Sequence, residues 1–113
     1  MVTEANNNNY KDRRVFERFK ARLPVRFIDL KRNREGADYT CDVSAKGIGL
    51  VSQVEVNPYT PMELWLDMPD KGEPLYTRGE VVWSTPITTN SWRVGINLER
   101  ADLMGMSRVL RAA

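Results

Sequence analysis

The chain has 113 residues, which fits one domain that buries about two thirds of the surface its unfolded form exposes. A hydrophobic content of 42% and a charged content of 28% are ordinary for a soluble globular protein, and no apolar run approaches the roughly 18 residues of a membrane span. The single cysteine excludes an internal disulfide, and the lack of histidine removes the commonest metal ligand and the usual general base near neutral pH. Because the first ten residues also lack the apolar core of a secretory signal, we expect a cytoplasmic protein. Because histidine is missing, we also expect that the protein is not an enzyme and holds no metal or cofactor.

Positive charge is concentrated near the start of the chain. The formal net charge is only +2, yet residues 10–34 hold ten lysines or arginines against three acidic residues. This segment therefore has an excess of seven positive charges, and the rest of the chain has an excess of five negative charges. Such a separation predicts a basic patch that faces an anionic ligand.

The first residues form a polar tail that includes four consecutive asparagines. They contain too little apolar surface to offset the entropy lost on ordering, so residues 1–12 are predicted to be disordered or flexible and residues 13–113 to form the domain. Residues 10–19 are basic with a few apolar side chains, and we expect a flexible lead-in to the first strand.

Most of the domain has the pattern of short strands separated by turns. Pro24 places the first strand at a sheet edge or starts it after the proline, and Gly79 suggests a bulge or close packing in a later strand. Loops are predicted over the charged stretch 30–38 and the polar stretch 86–90. The predicted strands span residues 21–28, 39–43, 48–52, 62–68, 75–84 and 92–98.

The chain ends with apolar residues at helical spacing. Leu103, Met106 and Leu110 predict one short C-terminal helix over 102–110, although Gly105 weakens it by up to about 1 kcal/mol relative to alanine. A helix this short would persist only by packing against the strands. Six or seven short strands followed by one helix indicate an all-β fold, namely a small antiparallel barrel.

A first motif lies in the basic lead-in. Arg14 and Arg18 form R-x-x-x-R, and Arg13 directly precedes them. A guanidinium group donates bidentately to phosphate oxygens or to the O6 and N7 edge of guanine, and its plane stacks on a purine. The alternative interpretation is a set of arginines that only solvate the surface.

A second motif joins two predicted strands. Asp42, Ser44 and Gly47 form D-x-S-x-x-G. An ionised carboxylate accepts from the N1 and N2 donors of guanine, a serine hydroxyl donates to phosphate or holds the corner, and glycine permits close approach. The alternative is an ordinary Asx turn in which the aspartate caps backbone amides.

The two motifs together, in this order and in a chain of this size, resemble the PilZ domain family. The resemblance covers about residues 13–110 and includes the stretches 79–83 and 94–96. It implies a six-stranded antiparallel β-barrel with a C-terminal helix that binds the bacterial second messenger cyclic di-GMP. By the resemblance, Arg14 and Arg18 wrap over the ligand, Arg13 is associated with capture of an intercalated ligand dimer, and the barrel surface beneath is lined by Asp42, Ser44 and Gly47.

Three hypotheses follow for the function. The leading one is a receptor whose arginine segment orders over the barrel on ligand binding and so changes the surface shown to an effector protein, whose identity the sequence does not give. The second is a basic barrel that binds single-stranded nucleic acid, which is disfavoured because Trp65, Trp83 and Trp92 lie in patterns that predict burial, although one near the barrel mouth could touch a guanine. The third is an adaptor that contacts proteins without a ligand.

Overall fold

The computed structural model describes residues 18–100 and Arg108. The predicted tail over 1–12, together with Arg13 and Arg14, lies outside the described residues. The same holds for the C-terminal helix predicted over 102–110 except at Arg108, which is helical. The seven strands are β1 (Phe19–Lys20), β2 (Pro24–Asp29), β3 (Arg34–Val43), β4 (Gly47–Ser52), β5 (Pro61–Leu66), β6 (Leu75–Thr88) and β7 (Ser91–Leu98).

Six of these strands close into an antiparallel barrel. Neighbouring strands follow the order β3-β2-β5-β6-β7-β4, and a further pairing of β3 with β4 closes the ring. The two-residue strand β1 pairs with β3 beyond the end of β2, so that β1 and β2 form one interrupted strand along the same edge of β3. The predicted six-stranded antiparallel barrel is therefore confirmed.

The barrel interior is filled by alternate residues of each strand, as the period-two pattern predicts. In β2, Val25 and Phe27 point inward and are buried, while Arg26 between them is exposed. In β5, Met62 and Leu64 are fully buried. Sixteen buried hydrophobic side chains form one cluster, which fixes the inner face and leaves the outer face for polar and charged groups.

Two predicted loops are wrong in extent. Residues 34–38 were expected in a hairpin loop but pair with β2, and since their side chains are exposed or only partly buried, charge is tolerated there. Similarly, β6 continues to Thr88 and pairs with β7, so only residues 89 and 90 separate these strands. The close packing at Gly79 is confirmed, since a Cβ there would lie 2.5 Å from the carbonyl oxygen of Asn97, whereas the register shift falls between Val81 and Trp83.

A further register shift lies in β3, between Thr40 and Asp42. In a regular strand, the side chains of two residues that are an odd number of positions apart point to opposite faces of the sheet. The extra residue, Cys41, resets this alternation, so Tyr39 and Asp42 both lie on the outer face while Thr40 and Val43 are buried. This bulge sets the direction of the side chains around the second motif.

The far end of the chain is tied to the loop between β5 and β6. Arg108 donates from Nε and Nη2 to the two carboxylate oxygens of Asp70, each at 3.0 Å, and from Nη2 to the carbonyl oxygen of Glu73 at 2.9 Å. This is the bidentate geometry in which arginine binds carboxylates most strongly. Among the residues that the structure describes, no helix is long and apolar enough to cross a membrane.

Candidate ligand-binding site

The corner between β3 and β4 is held by Ser44. Its side chain is buried, and its hydroxyl accepts hydrogen bonds from the amides of Lys46 at 3.3 Å and Gly47 at 2.9 Å. The amide of Ser44 donates to the carbonyl oxygen of Gly47 at 2.8 Å, and the Ser44 hydroxyl reaches the same oxygen at 3.3 Å. Of the two roles open to this hydroxyl, the geometry supports holding the corner.

Asp42 lies between two arginines from different parts of the chain. Its Oδ1 accepts from Nη1 of Arg18 at 2.5 Å, and its Oδ2 lies 3.5 Å from Nη2 of Arg93 on β7. The Asp42 side chain is 20% exposed, whereas those of Arg18 and Arg93 are about half exposed. We call these three residues the Asp42 triad. The structure thus brings one arginine of the first motif onto the aspartate of the second.

A floor without side chains lies beside the carboxylate. Gly49 is the β4 partner of Asp42, and Gly95 is in turn the β7 partner of Gly49. A Cβ at Gly49 would lie 2.7 Å from Oδ1 of Asp42, and one at Gly95 would lie 2.3 Å from the indole of Trp83. The two glycines therefore allow the Asp42 carboxylate and the Trp83 ring to lie close to the barrel surface, on strands that are near neighbours.

A cavity of about 250 Å³ opens on one side of the triad. A Cβ at Gly47 would lie 3.0 Å from Nη2 of Arg18, so this glycine leaves the room in which the guanidinium rests. Cationic and amide groups at its rim suit an anionic or hydrogen-bonding ligand. The lining residues are Arg18, Ser44, Lys46, Gly47, Val82, Ile96 and Asn97.

Sequence reasoning missed Arg93, Asn97 and the exposure of Trp83. Arg93 and Asn97 occupy outward positions of β7, so their exposure was readable from the alternation, but their proximity to Asp42 and Gly47 was not. The prediction that the tryptophans belong to the core is wrong for Trp83, whose side chain is 41% exposed. The bulge is the reason, because it leaves Val82 and Trp83 both facing outward. Trp65 and Trp92 are half-buried.

The predicted site residues are thus placed as follows. Arg18 contacts Asp42, and the first cavity is lined by Arg18, Ser44 and Gly47. The Ser44 hydroxyl accepts from the amide of Gly47. Arg13 and Arg14 lie outside the described residues. Within residues 18–100 together with Arg108, no three Cys, Asp or Glu side chains are grouped so that they could hold a metal ion.

Solved structures with the same fold are similar to this chain at low sequence identity. The PilZ domain of YcgR from Escherichia coli, solved with c-di-GMP, has a TM-score of 0.63 at 14% identity, covering 88% of this chain and 87% of that one. The PilZ domain of CeSA from a cellulose-synthesizing bacterium has a TM-score of 0.58 at 17% identity, covering 84% and 92%. The Bacillus subtilis inhibitor of motility MotI (DgrA) has a TM-score of 0.65 at 14% identity, covering 86% of this chain and 48% of its own.

These likenesses concern the fold, since the identities are low. This chain spans about half the length of MotI, and no curated protein matches its sequence. The sequence pattern of the PilZ domain, in contrast, matches residues 12–111, which is nearly the whole chain and includes both motifs. The chain therefore belongs to the PilZ domain family.

Proposed function

We propose that this protein is a receptor for cyclic di-GMP, with Arg18 and Asp42 at the centre of its binding site. The observation that carries the proposal is the contact between them: two motifs 24 residues apart meet at 2.5 Å, beside a cavity and a glycine floor. The guanidinium donors of Arg18 complement the O6 and N7 acceptors of guanine, and the Asp42 carboxylate complements its N1 and N2 donors. The PilZ domain of YcgR, which has this fold, was solved with this ligand.

Binding requires the Asp42 triad to exchange partners. The carboxylate is engaged by Arg18 and Arg93 in this structure, and the N1 and N2 donors of a guanine compete with these arginines for its two oxygens. Arg18, once displaced, donates to phosphate or to the other guanine edge. Arg93 keeps a positive charge beside the carboxylate.

The remaining predicted residues complete the site. Arg14 precedes Arg18 by four residues, so it lies within about 14 Å of Arg18 along the chain and can reach a ligand held there. Arg13 would add a further cation for a second ligand molecule. Ser44 and Gly47 fix the corner and leave space, and the exposed indole of Trp83 offers a ring on which a guanine stacks.

The binding step would act as a switch rather than as a reaction. Ordering the arginine segment costs about 1 to 2 kcal/mol per residue in backbone entropy. Hydrogen bonds to charged groups contribute about 1.5 to 3 kcal/mol each, so several are needed to offset that cost. The segment ordered by the ligand then presents a new surface to an effector protein.

Isothermal titration calorimetry with cyclic di-GMP tests the proposal. We expect the wild type to bind and the Asp42→Ala and Arg18→Ala variants to lose affinity by about 100-fold or more, the equivalent of two charge-assisted hydrogen bonds. Arg78→Ala is the matched control, because Arg78 is exposed and lines neither this cavity nor the second one described below. The proposal would be contradicted if the wild type gave no heat of binding, or if Arg78→Ala lost as much affinity as the two site variants.

A specific observation also supports the second hypothesis, nucleic-acid binding. Aromatic rings lie next to arginines on the outer surface, with Arg26 Cζ 5.3 Å from the ring centre of the half-buried Trp65 and Arg22 Cζ 3.8 Å from that of the exposed Tyr39. Such pairs are used by proteins that bind single strands. Oligonucleotide binding with a steep salt dependence that survives Asp42→Ala would favour this function. If neither ligand binds, a ligand-independent adaptor becomes the better interpretation.

A further inference from the structure

A second cavity, of about 420 Å³, lies on the other side of the Asp42 triad. It forms where β3 and β4 diverge, because these strands pair only over residues 40–43 of β3. Its lining consists of Arg22, Asp38, Tyr39, Thr40, Cys41 and Val51. Neither of the two sequence motifs contributes to it.

The β3 bulge and the β4–β7 register place this cavity next to the proposed site. Tyr39 and Asp42 share the outer face, three residues apart, which is about 10 Å along a strand. Val51 in the lining lies on β4 and pairs with Arg93 on β7, and Arg93 contacts the Oδ2 of Asp42. Arg18 borders the first cavity and contacts Oδ1. The triad therefore stands between two cavities, with Arg18 in the lining of the first and Arg93 next to Val51 in the lining of the second.

The second cavity carries its own stacking group. The guanidinium of Arg22 lies 3.8 Å above the ring centre of Tyr39, and both side chains are exposed. A guanidinium at this distance from a ring can stack on it with one face and accept a planar heterocycle on the other. The carboxylate of Asp38 lies in the same lining and is an acceptor.

The backbone that carries Arg22 is fixed in place. The amide of Leu23 donates to Oγ1 of Thr40 at 2.9 Å, and that hydroxyl donates to the carbonyl oxygen of Ala21. The amide of Thr40 donates to the carbonyl oxygen of Leu23 at 2.9 Å. Residues on both sides of Arg22 are thus bound to β3, and an arginine on such a backbone loses less freedom when it binds.

We propose that the second cavity is a purine subsite, in which a guanine base stacks on Arg22 and Arg22 rests on Tyr39. This inference rests on the proposed function, since the guanine is supplied by cyclic di-GMP bound at the triad. A cyclic dinucleotide carries two bases attached at opposite ends of its ring, and the two cavities lie on opposite sides of Asp42. The guanine belongs to the same ligand molecule or to a second one, and stoichiometry distinguishes these sources.

The only cysteine of the chain makes the test direct, because Cys41 lies in the lining of this cavity. The rate of alkylation of its thiol by N-ethylmaleimide is measured with and without cyclic di-GMP. If the base covers the thiol, the rate falls in proportion to the unliganded fraction, by about 100-fold at a free ligand concentration of about 100 Kd. A calorimetric stoichiometry of one would assign the base to the same molecule, and a stoichiometry of two to a second molecule.

Two variants distinguish protection of the Cys41 thiol by a stacked base from protection by general stabilisation of the protein. Arg22→Gln and Tyr39→Leu keep long side chains on the outer surface but remove the stacking pair. We expect them to lose most of the protection of Cys41 and to bind about 5- to 150-fold more weakly, the effect of one stacked base. Circular dichroism melts of both variants, and their alkylation rates without ligand, show whether the fold is intact.

The outcomes also separate this inference from the receptor proposal. Calorimetric binding by the wild type without protection of Cys41 would overturn the purine subsite and leave the receptor intact. Protection that persists fully in both variants would overturn it as well, because the thiol would then be shielded without the stacking pair. No binding by the wild type would overturn both proposals together.

Discussion

The outer surface of the barrel has two faces that differ in the size of their side chains. On the glycine face, formed by Asp42, Gly49, Gly95 and Trp83, two of four neighbouring positions have no side chain. On the aromatic face, a row of large side chains crosses three strands: Arg26 lies over Trp65, and Trp65 packs against Tyr76 at 5.3 Å between ring centres.

The difference distinguishes a candidate ligand site on the outside of the barrel from a face packed by its own side chains. Side chains of the aromatic face contact one another, and Tyr76 also donates to Glu63 at 2.6 Å, so their interactions are largely internal. On the glycine face the missing side chains let the Asp42 carboxylate and the Trp83 indole lie against the barrel surface. We therefore expect substitutions on the glycine face to change binding and those on the aromatic face to change local packing.

The largest effect is expected from filling the glycine floor. In Gly49→Ala the new methyl group would lie 2.7 Å from Oδ1 of Asp42, so the carboxylate must move. Affinity for cyclic di-GMP should fall by about 100-fold or more, as in Asp42→Ala. Because both changes act through one carboxylate, the double variant should bind no worse than Asp42→Ala, as a calorimetric double-mutant cycle can show. Additive losses would mean that Gly49 acts independently of Asp42.

Two tryptophans provide a matched pair across the two faces. Trp83→Ala should weaken ligand binding by about tenfold, at the low end of the effect of one stacked base. Trp65→Ala removes the contacts with Tyr76 and Arg26 and should leave the affinity within about twofold. Calorimetry on both variants, with thermal melts to compare their stability, measures this contrast. Equal loss of affinity in both would break the distinction between the faces.

A smaller effect is expected for Arg93. Its guanidinium lies 3.5 Å from Asp42 and is half exposed, and the attraction of such an exposed charge to the phosphates of an anionic ligand contributes up to about 1 kcal/mol. Arg93→Gln should therefore weaken binding by less than about fivefold, and the difference from wild type should shrink at high salt. Calorimetry at two ionic strengths tests this. A loss that does not depend on salt would indicate a direct hydrogen bond from Arg93 to the ligand.

The smallest effect concerns titration of the aromatic face. The hydrogen bond to Glu63 raises the pKa of Tyr76 above 10.0, because it stabilises the protonated phenol. Any contribution of this bond to stability is complete below pH 10 and is lost as the pH rises through the raised pKa. Glu63→Gln should lower the pKa of Tyr76 toward its ordinary value, as an NMR titration of its ring would report. If the pKa of Tyr76 were unchanged in Glu63→Gln, the hydrogen bond to Glu63 would not be the cause of its raised pKa.

The sequence alone predicted the strands with buried alternate residues, and it predicted the family. Val25 and Phe27, or Met62 and Leu64, are inward because the side-chain period of a strand is two, which is a local property. The pairing of the two motifs was also readable, since it depends on residue type and spacing. The length of β3 was not, because the charged residues 34–38 are tolerated on an outer surface that only the closed barrel defines.

Tertiary structure decided the content of the site. The contact of Arg93 with Asp42, the exposure of Trp83 and the cavity beside Cys41 all follow from strand order and from two bulges. A bulge reverses the alternation after one residue, and a barrel register joins positions far apart in the chain. Both depend on how distant strands pair rather than on any local pattern. The sequence therefore determined which residues face outward along most strands, while closure of the barrel determined which of them meet.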